Sequence, residues 1–202
     1  MLRLAVFVSG RGSNLKAILN HPELSNLTKI VAVFSDKAEC GAFEIAKSYS
    51  IETIAIGKGE NKIEQKDLLE VLTKFNLDLI VLAGYLKLIP IEVVRHFENR
   101  IINIHPALLP SFGGKGMYGM NVHNAVFSSS AKVSGATVHF VDAEYDRGKI
   151  IAQRCVDISD VKSPEEIAER VLKIEHQLLP DVIKAFAENR IQIEDNRVVI
   201  KS

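Results

Sequence analysis

Asn103 and His105 are the residues of this chain whose types and spacing could do chemistry together. They stand in Asn103-Ile104-His105-Pro106, at the end of an apolar run over residues 100–104 that reads as a buried strand. Side chains on a strand repeat every two residues, so both project from one face. Open α/β sheets place their sites at the carboxyl ends of strands. Pro106, which cannot donate to a ladder, ends this strand there. An asparagine amide can stabilise an oxyanion, and an imidazole beside it can move a proton near neutral pH. Acyl or formyl transfer is the chemistry such a pair suits. A strand-end Asn and His could equally cap a loop and satisfy backbone groups, and these two residues alone leave that alternative open.

Two further groupings bear on the same chemistry. Ser9-Gly10-Arg11-Gly12-Ser13-Asn14 lies between a strand pattern and a helix pattern. Such a turn presents backbone N–H groups at a helix N-terminus, which favours an anion. Gly12 would let the backbone approach a phosphate, with Ser13 and Asn14 adding donors. The Gly-Lys-Ser/Thr ending of a Walker loop is missing, and the third glycine of a dinucleotide fingerprint is replaced by Leu15. A site for a single phosphate is therefore expected, with a tight turn and helix cap as the alternative. Asp146, in Asp146-Arg147-Gly148, could orient a histidine and favour its protonated form, or could simply be a turn residue.

These side chains need a scaffold, and the hydrophobic pattern supplies one. Residues 4–8, 30–34, 54–56, 79–83 and 101–104 read as strands. Residues 13–19, 42–49 and 63–75 read as helices, the last with a stripe of Ile63, Leu68, Val71, Leu72 and Phe75. Pro90 would open another helix from its first position. Alternation of helices with continuously apolar strands predicts a parallel sheet covered on both faces, with a Rossmann-like N-terminal half. Further on, a helix is expected near residues 121–127, and longer alternating strands over 136–141 and 150–157. Ser163-Pro164-Glu165-Glu166 is a capping box that starts a long helix, interrupted by Pro180 and ending near residue 187. Residues 191–193 and 198–200 flank Asp195-Asn196 as a hairpin.

The whole chain narrows the class further. Its 202 residues suit one domain, 1–202, with a core of useful size. The apolar fraction is 47% and formal net charge is zero, which gives no basis for a nucleic-acid or anionic-membrane partner. No apolar run approaches the roughly 20 residues of a membrane span, and the N-terminus begins as a strand rather than a signal peptide. The two cysteines, Cys40 and Cys155, form no redox or metal motif, and the six histidines lack ligand spacing, so no metal is expected. Location in a reducing cytoplasm follows as the expectation.

Taken together, the motifs resemble those of the folate-dependent glycinamide ribonucleotide formyltransferases of purine biosynthesis. The resemblance rests on residues 9–15, residues 82–85, Asn103-Ile104-His105-Pro106-Ala107-Leu108-Leu109-Pro110, residues 135–141, Asp146 with Gly148, and Glu175-His176. They occur in the family's order along nearly the whole chain. The Asn-x-His-Pro segment marks formyltransferases broadly, and the Gly-Ser-Asn segment narrows it to the ribonucleotide enzymes.

The resemblance implies a formyltransferase fold with about seven strands in its sheet. It implies a phosphate-binding half, 1–100, and a catalytic and folate-binding half, 101–202. By the same resemblance Asn103, His105 and Asp146 are the catalytic trio. Gly12, Ser13 and Asn14 hold the substrate phosphate, and Glu175 the ribose hydroxyls. Leu86, Lys87, Leu88 and Ile89, with Asp142, Ala143, Glu144 and Tyr145, line the folate pocket. The implied substrates are phosphoribosylglycinamide and 10-formyltetrahydrofolate, handled by a monomer or homodimer. Asp146 is expected to raise the pKa of His105 and keep it protonated. Lys87 stands where many relatives carry arginine, residues 61–65 lack the usual folate-contacting arginine, and the loop over residues 113–119 is longer than in better-known relatives. Another formyltransferase or a formyl-folate hydrolase would share the trio. A dinucleotide-binding module would instead use the first turn, with Asp36 on a ribose.

Overall fold

The computed structural model describes residues 1–202 and divides into two compact units, Met1–Asn103 and Ile104–Ser202. The first unit alternates strand and helix. In order come β1 (Leu2–Val8), α1 (Ser13–Leu19), α2 (Leu24–Leu27), β2 (Thr28–Ser35), α3 (Gly41–Ser48), β3 (Glu52–Ile56) and β4 (Lys62–Ile63). A 3-10 turn at Gln65–Asp67 leads into α4 (Leu68–Thr73), followed by β5 (Leu79–Leu82), α5 (Ile91–His96) and β6 (Ile101–His105). The second unit contains α6 (Met120–Ser128), β7 (Val133–Phe140), β8 (Ile150–Asp157), the long α7 (Pro164–Ala187), β9 (Ile191–Glu194) and β10 (Arg197–Ile200).

The main sheet has eight strands in the order β4-β3-β2-β1-β5-β6-β7-β8. It is mostly parallel: β1 pairs with β2 and β5, β2 with β3, β3 with β4, and β5 with β6, all parallel. β8 runs antiparallel to its neighbour β7. Strand order reverses between β1 and β5, where the loops leaving two parallel strands part company. The continuous apolar strands are buried as expected: residues 4–8 of β1 are fully enclosed, and Leu79–Leu82 nearly so. Phe7 stacks on Phe34 at 4.7 Å and meets Tyr85 edge-on at 5.3 Å, filling the layer under the reversal.

Three local expectations are corrected. The eighth strand is Lys62–Ile63, which pairs with β3 and occupies the start of the expected helix over 63–75. Only Leu68–Thr73 is α-helical there, because Ile63 is drawn into the sheet edge by backbone pairing that a helical stripe does not reveal. Pro90 is the cap of α5 rather than its first helical residue: its φ of −53° and ψ of 140° are extended, and its carbonyl accepts from Val93 and Val94. Pro180 does not interrupt α7. The helix continues through it because Leu178, Leu179, Val182 and Ile183 are all buried along one face, which outweighs the lost backbone bond. Half of the capping box forms as expected: Ser163 Oγ accepts from the Glu166 N–H at 3.4 Å, while Glu166 reaches one residue past the cap and accepts from the Lys162 N–H at 3.1 Å. The hairpin around Asp195-Asn196 is β9 and β10, paired antiparallel, with Asp195 at φ 51°.

Candidate active site

In each unit most of the expected site residues stand at strand ends or on the loops that leave them. In the first unit, β1 runs into the glycine turn. Gly12 sits at φ 79°, ψ 26° and starts α1. Its missing Cβ serves packing: a methyl there would lie 2.7 Å from Cβ of Ala42, on α3. The turn is thus pressed against a second helix, a use of Gly12 that its expected approach to phosphate did not include. Ser13 is half-buried and Asn14 is buried, both in the first turn of α1. Asp36, just past β2, has Oδ1 taken by the hydroxyl of Ser9 at 2.6 Å, so that oxygen is engaged within the protein rather than presented to a ribose.

The segment after β5 is open to solvent over residues 86–88 and enclosed at Ile89. Leu86 is 38% exposed, Leu88 44% exposed, and Ile89 is buried. Lys87 is exposed. Leu86 and Leu88 thus offer apolar surface to solvent, and Ile89 is enclosed.

On β6, Asn103 pairs with Leu82 in the ladder. His105 ends that strand, nearly enclosed. Its Nε2 is 2.9 Å from the carbonyl of Phe112. A carbonyl only accepts, so Nε2 carries the hydrogen and Nδ1 is the nitrogen that gains or loses a proton. That Nδ1 lies 3.6 Å from Oδ2 of Asp146. The loop that supplies the carbonyl turns sharply, with Phe112 at φ 55°, a conformation a bulky side chain rarely adopts.

Asp146 is held from several sides. It sits at φ 57°, in the left-handed region, which aspartate tolerates better than most. Its Oδ2 accepts from the Gly114 N–H at 2.8 Å. Its Oδ1 lies 3.5 Å from Nε2 of His139, whose Nδ1 is 2.7 Å from the Phe140 carbonyl. Gly148, two residues on, lies against β7: a Cβ there would fall on the Phe140 carbonyl. His139, within the segment of residues 135–141, is a neighbour of Asp146 to which spacing alone assigns no role. Its signal was its place on the strand that feeds the Asp146 loop. Asp142, Ala143, Glu144 and Tyr145 form the turn between, with the Glu144 N–H donating to Asp142 Oδ1 at 2.9 Å. Glu175 is buried on α7.

The electrostatics differ from expectation in one respect. Burial pushes the His105 imidazole below its ordinary value. The Asp146 charge and the Phe112 carbonyl pull it back up, and His139 pushes it down again, so the net direction is down. Desolvation thus outweighs the carboxylate and favours the neutral ring, where the sequence reading expects imidazolium. Asp146 moves down as well: burial works to raise it, but His139, the charge of His105 and the Gly114 N–H together prevail. His123, buried on α6, is lowered by burial and then by His105. No group of three or more His, Cys, Asp or Glu side chains is arranged to hold a metal ion. No helix is long and apolar enough to cross a membrane.

A strand-end Asn-x-His with a carboxylate beside the imidazole, set in a mostly parallel sheet, is an arrangement suited to acid–base group transfer. The model of the Formyl transferase family matches residues 2–183, and the chain belongs to that family. Within it, the chain is similar to phosphoribosylglycinamide formyltransferases. It is 48% identical over 193 residues to the chloroplastic enzyme of Vigna unguiculata, covering 94% of this chain and 62% of that protein. It is 36% identical over 200 residues to the enzyme of Haemophilus influenzae, covering 97% and 92%. The crystal structure of the phosphoribosylglycinamide formyltransferase from Anaplasma phagocytophilum superposes with a TM-score of 0.89 at 34% identity, covering 100% of this chain and 95% of that one. The chain thus spans less than two thirds of the length of the Vigna relative.

Proposed function

We propose that this protein transfers a formyl group from 10-formyltetrahydrofolate to the amine of 5'-phosphoribosylglycinamide, a step of purine biosynthesis. The observation that carries the reading is the pairing of His105 Nδ1 with Asp146 on the strand end that also bears Asn103. In this mechanism the amine attacks the formyl carbon and the carbonyl oxygen becomes an oxyanion. The Asn103 amide donates to that oxygen as its charge develops. The attacking nitrogen loses its extra proton, which neutral His105 takes up at Nδ1, directly or through a water, against the Asp146 charge. The same proton passes to the leaving folate nitrogen as its bond to carbon breaks and the carbonyl reforms. A neutral resting His105 suits this order, because it starts able to accept.

Gly12, Ser13 and Asn14 bind the phosphate, and Glu175 the ribose hydroxyls. Leu86, Lys87, Leu88 and Ile89, with Asp142, Ala143, Glu144 and Tyr145, line the folate pocket. The chain acts as one formyltransferase domain, 1–202, as monomer or homodimer, on small molecules alone and without a metal. Its compartment is the cytoplasm, whereas the Vigna relative is named as chloroplastic. The test is direct. Purified protein mixed with both substrates should yield tetrahydrofolate and formylglycinamide ribonucleotide in equal amounts. Formyl-folate loss without the ribonucleotide substrate would point to a hydrolase, and no reaction at all would overturn the reading.

A further inference from the structure

Ser9 joins the two loops that part at the strand-order reversal. It leaves β1, and residues 83–89 leave β5. Its N–H donates to the Gly84 carbonyl at 3.1 Å. Its hydroxyl has one hydrogen, which goes to Asp36 Oδ1 at 2.6 Å, and a lone pair of the same oxygen accepts the Leu86 N–H at 3.1 Å. A short bond to a carboxylate makes the hydroxyl oxygen a better acceptor, so Asp36 strengthens the hold on Leu86. Ser9 is only 3% exposed, so water does not replace the hydroxyl readily.

A second side chain holds the same segment two residues on. Gln65 Nε2 donates to the Leu88 carbonyl at 3.1 Å. Gln65 lies in the stretch 61–65 that lacks an arginine, and there it supplies a neutral amide to the protein's own backbone. Between these two bonds the backbone of residues 86–88 is fixed, and the side chains of Leu86 and Leu88 are left facing out.

We propose that Ser9 and Gln65 are positioning residues which hold the Leu86–Leu88 wall in register for the apolar ring system of a folate. The inference rests on the folate reading of that wall given above. Neither residue touches the reacting atoms. Their effect is on affinity for the formyl donor, because a wall already in its bound conformation loses less freedom on binding.

The experiment compares the parent with Ser9→Ala, Ser9→Thr and Gln65→Ala, using calorimetric titration with tetrahydrofolate and steady-state kinetics with both substrates. Ser9→Ala should weaken tetrahydrofolate binding and raise the formyl-donor KM by about five- to tenfold, the scale of one buried hydrogen bond. Gln65→Ala, at an exposed site, should do so by about two- to threefold. The KM for phosphoribosylglycinamide and kcat should move by less than about twofold, since the lost bonds are ground-state positioning. Ser9→Thr keeps the hydroxyl and should restore binding; a Thr variant as weak as Ala assigns the loss to packing and overturns the role of Ser9. Unchanged tetrahydrofolate affinity in both Ala variants overturns the proposal, as does a ribonucleotide KM that rises as much as the folate KM. Should Ser9→Ala fail to fold, Gln65→Ala decides by the same titration. A parent that binds tetrahydrofolate yet does not formylate phosphoribosylglycinamide sinks the acceptor reading alone, and the titrations still decide this one. A parent that binds no tetrahydrofolate overturns it.

Discussion

Nδ1 of His105 faces Oδ2 of Asp146 across 3.6 Å, while Nε2 of the same ring is committed to the Phe112 carbonyl. One nitrogen is thereby fixed as a donor, and the other titrates against a carboxylate. Burial sets the resting state of that second nitrogen, and Asp146 sets how readily it takes a proton during reaction.

Replacing Asp146 with Asn keeps the side-chain shape and removes the charge. The His105 pKa, already lowered by burial, should fall further, because the chief influence raising it is gone. Turnover should drop by about a hundredfold or more, as for the loss of acid–base assistance. NMR titration of His105 in parent and variant, beside pH–rate profiles, makes the measurement. An unchanged histidine pKa would leave Asp146 only a turn-forming or ligand-binding role.

Asn103→Ala should fold normally and lose about two to three orders of magnitude in kcat, the usual cost of removing one oxyanion donor. Thermal melting and single-turnover formyl transfer are the paired measurements. Full activity at unchanged stability would remove Asn103 from the mechanism.

The glycine turn predicts a substrate-specific defect. Removing the side chains of Ser13 and Asn14 together should raise the KM for phosphoribosylglycinamide by about tenfold or more, for the loss of two hydrogen bonds to an anion, with little change in the formyl-donor KM. If the folate constant moved instead, the phosphate would have to bind elsewhere.

Acid should weaken the fold before any carboxylate titrates. Burial lowers the pKa of His105, of His123 and of His176. The unfolded chain takes protons on these groups at about pH 6.5, whereas the folded protein does so only at lower pH. Their contribution is therefore fully present above about pH 6.5 and is lost as pH falls through the folded values. Asp146, also lowered, adds a second loss below about pH 4. Melting temperature should hold steady above neutrality and decline as pH falls below about 6.5. His123→Gln should shrink that decline, and an equal decline in the variant would exclude His123 as a contributor.

Gly148→Ala tests the support of the Asp146 loop. The added methyl would strike the Phe140 carbonyl, so β7 and the loop must separate. The cost should be about 1–3 kcal/mol, typical of overpacking. Urea unfolding reads it, and turnover should fall with it because Asp146 lies two residues away. A variant as stable and active as the parent would show that the loop yields freely.

Local sequence settles much of this protein. The apolar runs at residues 4–8 and 79–82 dictate buried parallel strands, since every side chain along them must leave water. The two-residue spacing of Asn103 and His105, with Pro106 after them, sets both on one strand end, because strand periodicity is a property of the backbone alone. Ser163-Pro164-Glu165-Glu166 sets the start of α7 for the same local reason. Tertiary structure decides the rest. Ile63 joins a sheet edge by pairing with Ile56, and Pro180 rides within α7 on a face buried by packing; in both, the folded surroundings outweigh local preference. The hold of Ser9 on Leu86 spans 77 residues, a contact that no spacing reveals. The resting charge of His105 is likewise a tertiary property. Sequence shows its carboxylate partner, but desolvation opposes that partner, and how completely the ring is enclosed is known only once the chain has folded around it.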